Sequence, residues 1–553
     1  MIQFKPLTFH DYDLYQSYYK KANYEGYQTN FHSLMLWNRA YQTQFYYNEH
    51  YLVTLMHYED FYFFNVPLTT KEYFKEAIDD ILAYCDANQL PFLMDGILEE
   101  QETFLKEAYP NLFFFQHDEG SQSYIYEANP HKTLSGKKMQ KRRNHFNAFI
   151  KENENNFTYR LVTKDDRDEI EALFDAWQEN KTDRYAIDYE KEGVLSILSQ
   201  MPCLDYKMAC IEVNGKIEAF ILGSMLNHNT VQIHVEKANN NIRGLYVAIF
   251  KYFLENEYDD VLYVNREEDM GIESLRKAKQ QLHPCKLLDQ SFAFRKTLPV
   301  VSKATKEDMS ALKERWLFTF KEDDEAFYDD YIKNNTLHIY LSKVDHRIVS
   351  VVYLREMNLN TNQQAFYIEG VSTHHLYHHH GYMKQLLSKV IEEYKDKILF
   401  IQAYHWHVYN AFKFDGIIYK NIAYLMEPLE TISHLPVSYG LNKDLFKRLY
   451  QAYTSNYETY IQRDVPADLN SYEAIYNDEA YALYAKFNDI YVVTEIVYTS
   501  KEAAYCLLNE LISKYQEIKV ICEKDFLDGE EIIFGKYYKS QLNTSSLYFN
   551  EYI

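Results

Sequence analysis

From residue 383 the apolar positions Met383, Leu386, Leu387, Val390, Ile391 and Tyr394 recur at alternating steps of three and one, which lays them along one face of an amphipathic helix. Short apolar runs flank it, AFYIEGVST (365–373) before and KILFIQAYH (397–405) after, and both suit strands of a buried sheet. The same order occurs three more times. TVQIHVEK (230–237) precedes a helix on Leu245, Ala248, Ile249, Tyr252 and Phe253, followed by DDVLYVNRE (259–267). IYVVTEIVY (490–498) leads through Ala504, Leu507, Leu508, Leu511 and Ile512 to IKVICEKD (518–525). FYFFNV (61–66) leads through Phe74, Ile78, Ile81, Leu82 and Cys85 to PFLMDGI (91–97).

Four β-α-β units, each set in mixed α and β pattern, predict an α/β (α+β) chain of four similar modules rather than one large sheet. A chain of 553 residues is several-fold longer than one hydrophobic core supports. The expected modules are 1–125, 126–299, 304–428 and 429–553, with TLPVVSKATKED (297–308) as the clearest linker, because Pro299 and a polar run interrupt the periodicity there.

Only two units place a glycine just before the helix, at Arg243-Gly244 and His380-Gly381. A glycine there lets free backbone amides approach a phosphate at the positive end of the helix dipole. The other two units read as scaffolding.

Composition narrows the partners. With 58 basic and 81 acidic residues the formal charge is −23, which disfavours general binding to nucleic acid or anionic membrane and leaves only local contacts. The 54 Tyr and 34 Phe supply contact area and polar handles at core edges and pocket walls. Six Cys lie far apart without CxxC spacing and read as reduced structural thiols. The first residues lack a basic start followed by an apolar run, and no stretch reaches the roughly 18 apolar residues of a membrane span, so a cytoplasmic protein is expected.

GVSTHHLYHHHGYMKQLL (370–387) resembles the coenzyme-binding strand, loop and helix of the GNAT (Gcn5-related) N-acetyltransferases, and is most similar to their Eis-type (enhanced intracellular survival) branch. The likeness runs over 304–553: ERWLFTFKEDDEAF (314–327) resembles that branch's acceptor-side segment, and HVYNAFKFDG (407–416) its Tyr-containing helix after the fifth strand. The resemblance implies acetyl-CoA as cosubstrate, with Val371 and Thr373 on the strand edge and His378, His380, Gly381, Tyr382 and Met383 at the pyrophosphate loop. His378 departs from the family, where Arg is usual, and a neutral imidazole offers a phosphate less charge than a guanidinium. The histidines at 374, 375 and 378–380 also permit a metal reading, but neighbours in one loop cannot all converge on one ion, so no metal is expected.

The half before residue 299 resembles a different family, the C-terminal domain of phosphatidylglycerol lysyltransferases in its soluble form. Its motifs here are LSGKKMQKRRNHFNAF (134–149) and the blocks from VEKANNNIRGLYVAIF to YVNREEDMGIESLRKAK (235–279). That fold is itself a pair of GNAT-like domains, so the two resemblances together imply four tandem GNAT-like mixed-sheet modules arranged as two double-GNAT halves. Well-known members take an aminoacyl group from tRNA. Lys137 to Lys151 carries six basic and no acidic residues and could meet tRNA phosphates; a solvated helix face is the alternative. Arg266 and Arg276 lie beyond a strand end, where pocket residues concentrate, and could hold a substrate carboxylate or phosphate, or form salt bridges within the domain.

Direct acyl transfer to an amine needs a base for the ammonium proton and an acid for the departing thiolate. The resemblance assigns the acid to Tyr409 and leaves the base between Glu369 and the terminal carboxylate of Ile553. Asp323 and Asp324 could attract a cationic small-molecule or peptide amine, or belong to a solvated loop. Three functions stay open: acyl-CoA-dependent N-acyltransfer, aminoacyl transfer from charged tRNA through the N-terminal half, and ligand binding without catalysis.

Overall fold

A computed structural model of the chain describes residues 2–58, 61–178, 184–201, 204–431, 435–463, 472–487 and 489–551. The chain divides into two compact units, Met1–Thr297 and Leu298–Ile553. Each is a mixed α/β body.

All four β-α-β units form, and in each the two strands pair in parallel. They are Phe61–Asn65 with Leu93–Ile97, Thr230–Ala238 with Tyr263–Asn265, Gln364–Thr373 with Ile398–Ile401, and Ile490–Tyr498 with Ile518–Cys522. The crossover helices are Phe74–Asn88, Leu245–Asn256, Tyr382–Glu393 and Lys501–Tyr515. Each turns its apolar stripe onto a sheet; Leu386, Leu387 and Val390 are fully buried, and each such side chain contributes roughly 1.5–3 kcal/mol by leaving water. Apart from Thr459–Gln462, which pairs in parallel with Leu547–Tyr548, the remaining strands join antiparallel, so each large sheet is mixed.

Pairing between strands distant in sequence extends these sheets. In the first unit, Ser291–Arg295 lies between Leu93–Ile97 and Phe113–His117, while Ser123–Glu127 lies between Tyr263–Asn265 and Lys286–Leu288. Each of the unit's two sheets therefore takes a strand from the other half of its sequence. In the second unit, Glu530–Tyr537 lies between Ile398–Ile401 and Gly416–Leu425, and Gly416–Leu425 pairs on with Ile518–Cys522, producing one continuous sheet of 14 strands. Unpaired strands expose backbone donors and acceptors, and this exchange satisfies those of the strands it joins. Among the described residues no helix is long and apolar enough to cross a membrane.

Candidate functional site

In the second unit the strands Gln364–Thr373 and Ile398–Ile401 pair from Ala365–Ile398 to Ile368–Ile401 and then separate. From Glu369 to Thr373 the first strand keeps a partner on one side only, the strand Arg347–Leu359. At the parting point Gly370 has φ +57°, and a Cβ there would come within 2.6 Å of the Tyr353 ring and 2.7 Å of Trp316, so only glycine fits. The opening edge then leads through the histidine loop to Gly381.

Gly381 has φ +84° and caps the helix Tyr382–Glu393. The first amides of a helix have no intrahelical acceptor, so this end presents donors to any anion. A Cβ built on Gly381 meets nothing within 4 Å. Gly244 is its counterpart in the first unit, with φ +80° at the cap of Leu245–Asn256, but a Cβ there runs into the backbone carbonyl of His145. The helix Gln140–Glu152 covers that end. Two glycines alike in sequence thus differ in access: one helix end is open and the other is filled by protein.

Around the open end, Val371 and Thr373 are half-buried on the strand edge, and the Thr373 hydroxyl lies 3.0 Å from Ser350 Oγ. His378 is exposed, with its Nε2 2.9 Å from the Thr373 carbonyl. Burial, with a smaller push from His379, draws His380 down to about 4, so its ring is neutral near pH 7. Tyr382 is buried beside the Tyr377 ring, and Met383 packs onto the core under the helix. Among the described residues no group of three or more His, Cys, Asp or Glu is arranged to hold a metal ion.

Glu369 stands where the strands part, 5% exposed. Burial raises its carboxyl above the usual range, opposed by Arg355 and Tyr331. Tyr331 donates its hydroxyl proton to Glu369 Oε1, and Arg355 Nε donates to both carboxylate oxygens at 3.1 and 3.3 Å. Arg355 also donates to Glu551 at 2.9 Å, and Glu551 lies 3.6 Å from Arg463, which pairs with Glu495. Sequence reasoning singled out Glu369 but missed Tyr331, Arg355 and Glu551. The one signal was the charged pair Arg355-Glu356 inside the apolar strand run IVSVVYLREMNL (348–359).

Tyr409 lies in a 3-10 helix, Trp406–Phe412, that follows the strand Ile398–Ile401. It is half-buried against the core under the Gly381 helix, and burial raises its hydroxyl to about 12. Ile553 lies outside the described residues. Asp323 accepts the Trp316 indole N–H at 2.8 Å, and Asp324 caps the helix Glu325–Asn334 by accepting the Phe327 amide at 2.8 Å. Both carboxylates thus serve the local structure of the loop that carries them.

In the first unit Arg266 donates to Glu236 at 2.8 Å over the Phe250 ring, and Arg276 is held by Asp269 at 2.8 and 3.2 Å. Each of the two guanidinium groups has a carboxylate partner. Within Lys137 to Lys151, Lys137, Lys138 and Lys141 are exposed, whereas Arg143 turns back onto the carbonyls of Leu134 and Gly136.

Comparison with known proteins agrees with this division. A family model described as phosphatidylglycerol lysyltransferase, C-terminal, matches residues 19–294, and one described as acetyltransferase (GNAT) domain matches residues 300–416. An uncharacterized protein of Mycoplasmoides gallisepticum is 27% identical over 166 residues, 30% of this chain and 54% of its own length. The chain therefore spans about half of that curated relative. The crystal structure of a conserved protein of unknown function from Bacteroides thetaiotaomicron is 31% identical, covering 54% of this chain and 100% of that one, at a TM-score of 0.51. The structure of L-PGS from Bacillus licheniformis matches at 15% identity over 55% of this chain and 96% of its own, TM-score 0.40. Eis1 from Mycobacterium abscessus matches at 9% identity over 44% and 73%, TM-score 0.33. By its first unit the chain belongs to the phosphatidylglycerol lysyltransferase C-terminal family, and its second unit carries a GNAT acetyltransferase domain.

Proposed function

We propose that the second unit is an acyl-CoA-dependent N-acyltransferase, with acetyl-CoA as donor and a small-molecule or peptide amine as acceptor, in a cytoplasmic protein. The observation that carries this reading is the open helix end at Gly381 beside two parting strands, against the filled end at Gly244. The amides of Gly381, Tyr382 and Met383 would receive the pyrophosphate, with His378 and His380 at its side. The free edge of Val371 and Thr373 would pair with the pantetheine arm as a strand does. Tyr409, whose hydroxyl keeps its proton at neutral pH, would protonate the departing thiolate. Glu369 would accept the amine proton, aided by the raised affinity that burial gives its carboxyl and opposed by its bonds to Arg355 and Tyr331. The test is calorimetry with acetyl-CoA: the parent binds, and Gly381→Trp does not.

A second reading, aminoacyl transfer from charged tRNA through the first unit, draws on the family that residues 19–294 match and on exposed Lys137, Lys138 and Lys141. It requires a gel shift with charged tRNA that weakens with salt and is lost when those three lysines become Glu. Arg266 and Arg276 would join a substrate site only by giving up Glu236 and Asp269.

A further inference from the structure

Two glutamates stand at matching places in the second unit. Glu369 follows Ile368, the last residue of Gln364–Thr373 paired with Ile398–Ile401, and Glu495 lies two residues past Val493, where Ile490–Tyr498 parts from Ile518–Cys522. Each parting strand carries a buried carboxylate bonded to one arginine and one tyrosine. For Glu369 these are Arg355 and Tyr331; for Glu495 they are Arg463 and Tyr481, whose hydroxyl donates at 2.6 Å.

Glu551 joins the two sets. The chain reaches it through Leu547–Tyr548, paired with Thr459–Gln462, and then Phe549, stacked 4.8 Å from the Phe400 ring. Asn550 donates to the Thr494 carbonyl at 3.2 Å and to Glu495 at 2.9 Å. The Glu551 side chain then lies 2.9 Å from Arg355 and 3.6 Å from Arg463. A buried row results, in the order Glu369, Arg355, Glu551, Arg463, Glu495.

Three carboxylates alternate with two guanidinium groups, so a fully ionised row carries one negative charge in excess. Burying such a charge is costly, and one bound proton removes it. Neighbouring groups do not offset it. Lys420, which donates to Asn550, has its own carboxylate in Glu523 at 3.2 Å. Burial raises Tyr331, Tyr367, Tyr450, Tyr481 and Tyr548, so these phenols stay neutral. The three carboxylates differ in their donors. Glu495 accepts from a guanidinium, a phenol and an amide, and Glu551 lies beside two guanidinium groups. Glu369 has one cation, Arg355, at 3.1 and 3.3 Å, and that cation lies closer to Glu551. The proton therefore belongs on Glu369, where the strands part. The direction of its shift agrees: burial raises the carboxyl most, and Glu551 raises it further.

We propose that Glu551 is a positioning residue for Glu369, taking the nearer claim on Arg355 and so leaving Glu369 able to accept a proton. Buried itself, Glu551 acts through the guanidinium and not on a substrate. Its role rests on the acyl-CoA reading, in which Glu369 is the base.

The experiment is urea unfolding of the full chain, followed for the second unit, with Glu369→Gln introduced into the parent and into Glu551→Gln. Once Glu551 is neutral, Glu369 is the one carboxylate left to Arg355, so Glu369→Gln should raise the unfolding constant at least tenfold more there than in the parent. A carboxyl that holds its proton more tightly when folded contributes less stability as pH rises from its ordinary value of 4.5. The parent's advantage over Glu369→Gln should therefore fall with rising pH, and fall less when both proteins also carry Glu551→Gln. Glu551→Ser supplies a smaller neutral side chain should Glu551→Gln fail to fold. An equal effect of Glu369→Gln in both backgrounds, or an identical fall with pH, overturns the proposal. Calorimetry of the parent with acetyl-CoA judges the acyl-CoA reading separately: absent binding removes the reaction that Glu369 serves, while unfolding still reads the coupling of Glu551 to Glu369.

Discussion

Gly244 and Gly381 form a matched pair of perturbations. Both cap a crossover helix, with φ of +80° and +84°. Alanine at either position adopts the left-handed conformation at a cost of about 1–2 kcal/mol. At Gly381 nothing lies within 4 Å of the added methyl, so that strain is the whole effect. At Gly244 the methyl meets the His145 carbonyl and comes within 3.2 Å of Phe149 Cβ, so the helix Gln140–Glu152 must shift. Overpacking of that kind adds about 1–3 kcal/mol, and Gly244→Ala should cost about 2–5 kcal/mol in all. Urea unfolding, with the two units analysed as separate transitions, measures both losses. Function should rank them the other way. Gly381→Trp places an indole where the pyrophosphate would lie, and losing even one charge-assisted bond to the amides, about 1.5–3 kcal/mol, weakens acetyl-CoA at least tenfold. Gly244→Ala should leave acetyl-CoA affinity near the parent value. Equal destabilisation by the two alanines, or unchanged acetyl-CoA affinity in Gly381→Trp, would refute the contrast between an open and a filled helix end.

Other consequences are as direct. Tyr409→Phe keeps the ring and removes its only proton, so turnover with an accepted amine should fall roughly ten- to a thousand-fold while CoA affinity and melting temperature hold; unchanged turnover returns Tyr409 to the core. Arg355→Met removes the cation bonded to Glu369 and leaves Glu551 only the more distant Arg463; both carboxylate side chains are 3% exposed, and the change should cost about 3–5 kcal/mol in the second unit. Adding Glu369→Gln and Glu551→Gln should recover most of that loss in urea unfolding; no recovery would mean that ring and methylene packing, not charge, was removed. In the first unit, Glu267 and Glu268, raised to about 7 chiefly by burial, hold protons more tightly when folded, so their contribution to stability falls as pH rises from about 4.5 to about 7 and is level above. Buried His32 and His234, drawn down to about 3 chiefly by burial, act in the opposite sense over an overlapping range. The clean observable is therefore a difference: Glu267→Gln with Glu268→Gln should gain stability relative to the parent across that window. A pH-independent difference contradicts the raised carboxyls.

Local pattern was enough for the four β-α-β units, because a helix stripe or a buried strand is written in neighbouring residues whose side chains must leave water together. The glycine-capped loop at 370–387 was legible for the same reason: a strand end, a left-handed glycine and a helix start are adjacent in sequence. What joins the repeats was not. Ser291–Arg295 and Ser123–Glu127 look like ordinary strands, and only the need to satisfy open sheet edges sends each into the other sheet of the first unit. Arg355 and Glu551 are 196 residues apart, and nothing near either one announces the partner. By sequence Asp323 and Asp324 fitted either a lure for a cation or a solvated loop, and only the fold shows an indole and a helix end bonded to them. Gly244 and Gly381 carry the same local signal, and the difference between a closed helix end and an open one comes from a helix about 100 residues before Gly244, whose His145 carbonyl covers it. Sequence determines which segments can form a site, because that is a matter of short-range geometry; tertiary packing decides which of them is left empty, because access depends on what the rest of the chain has already covered.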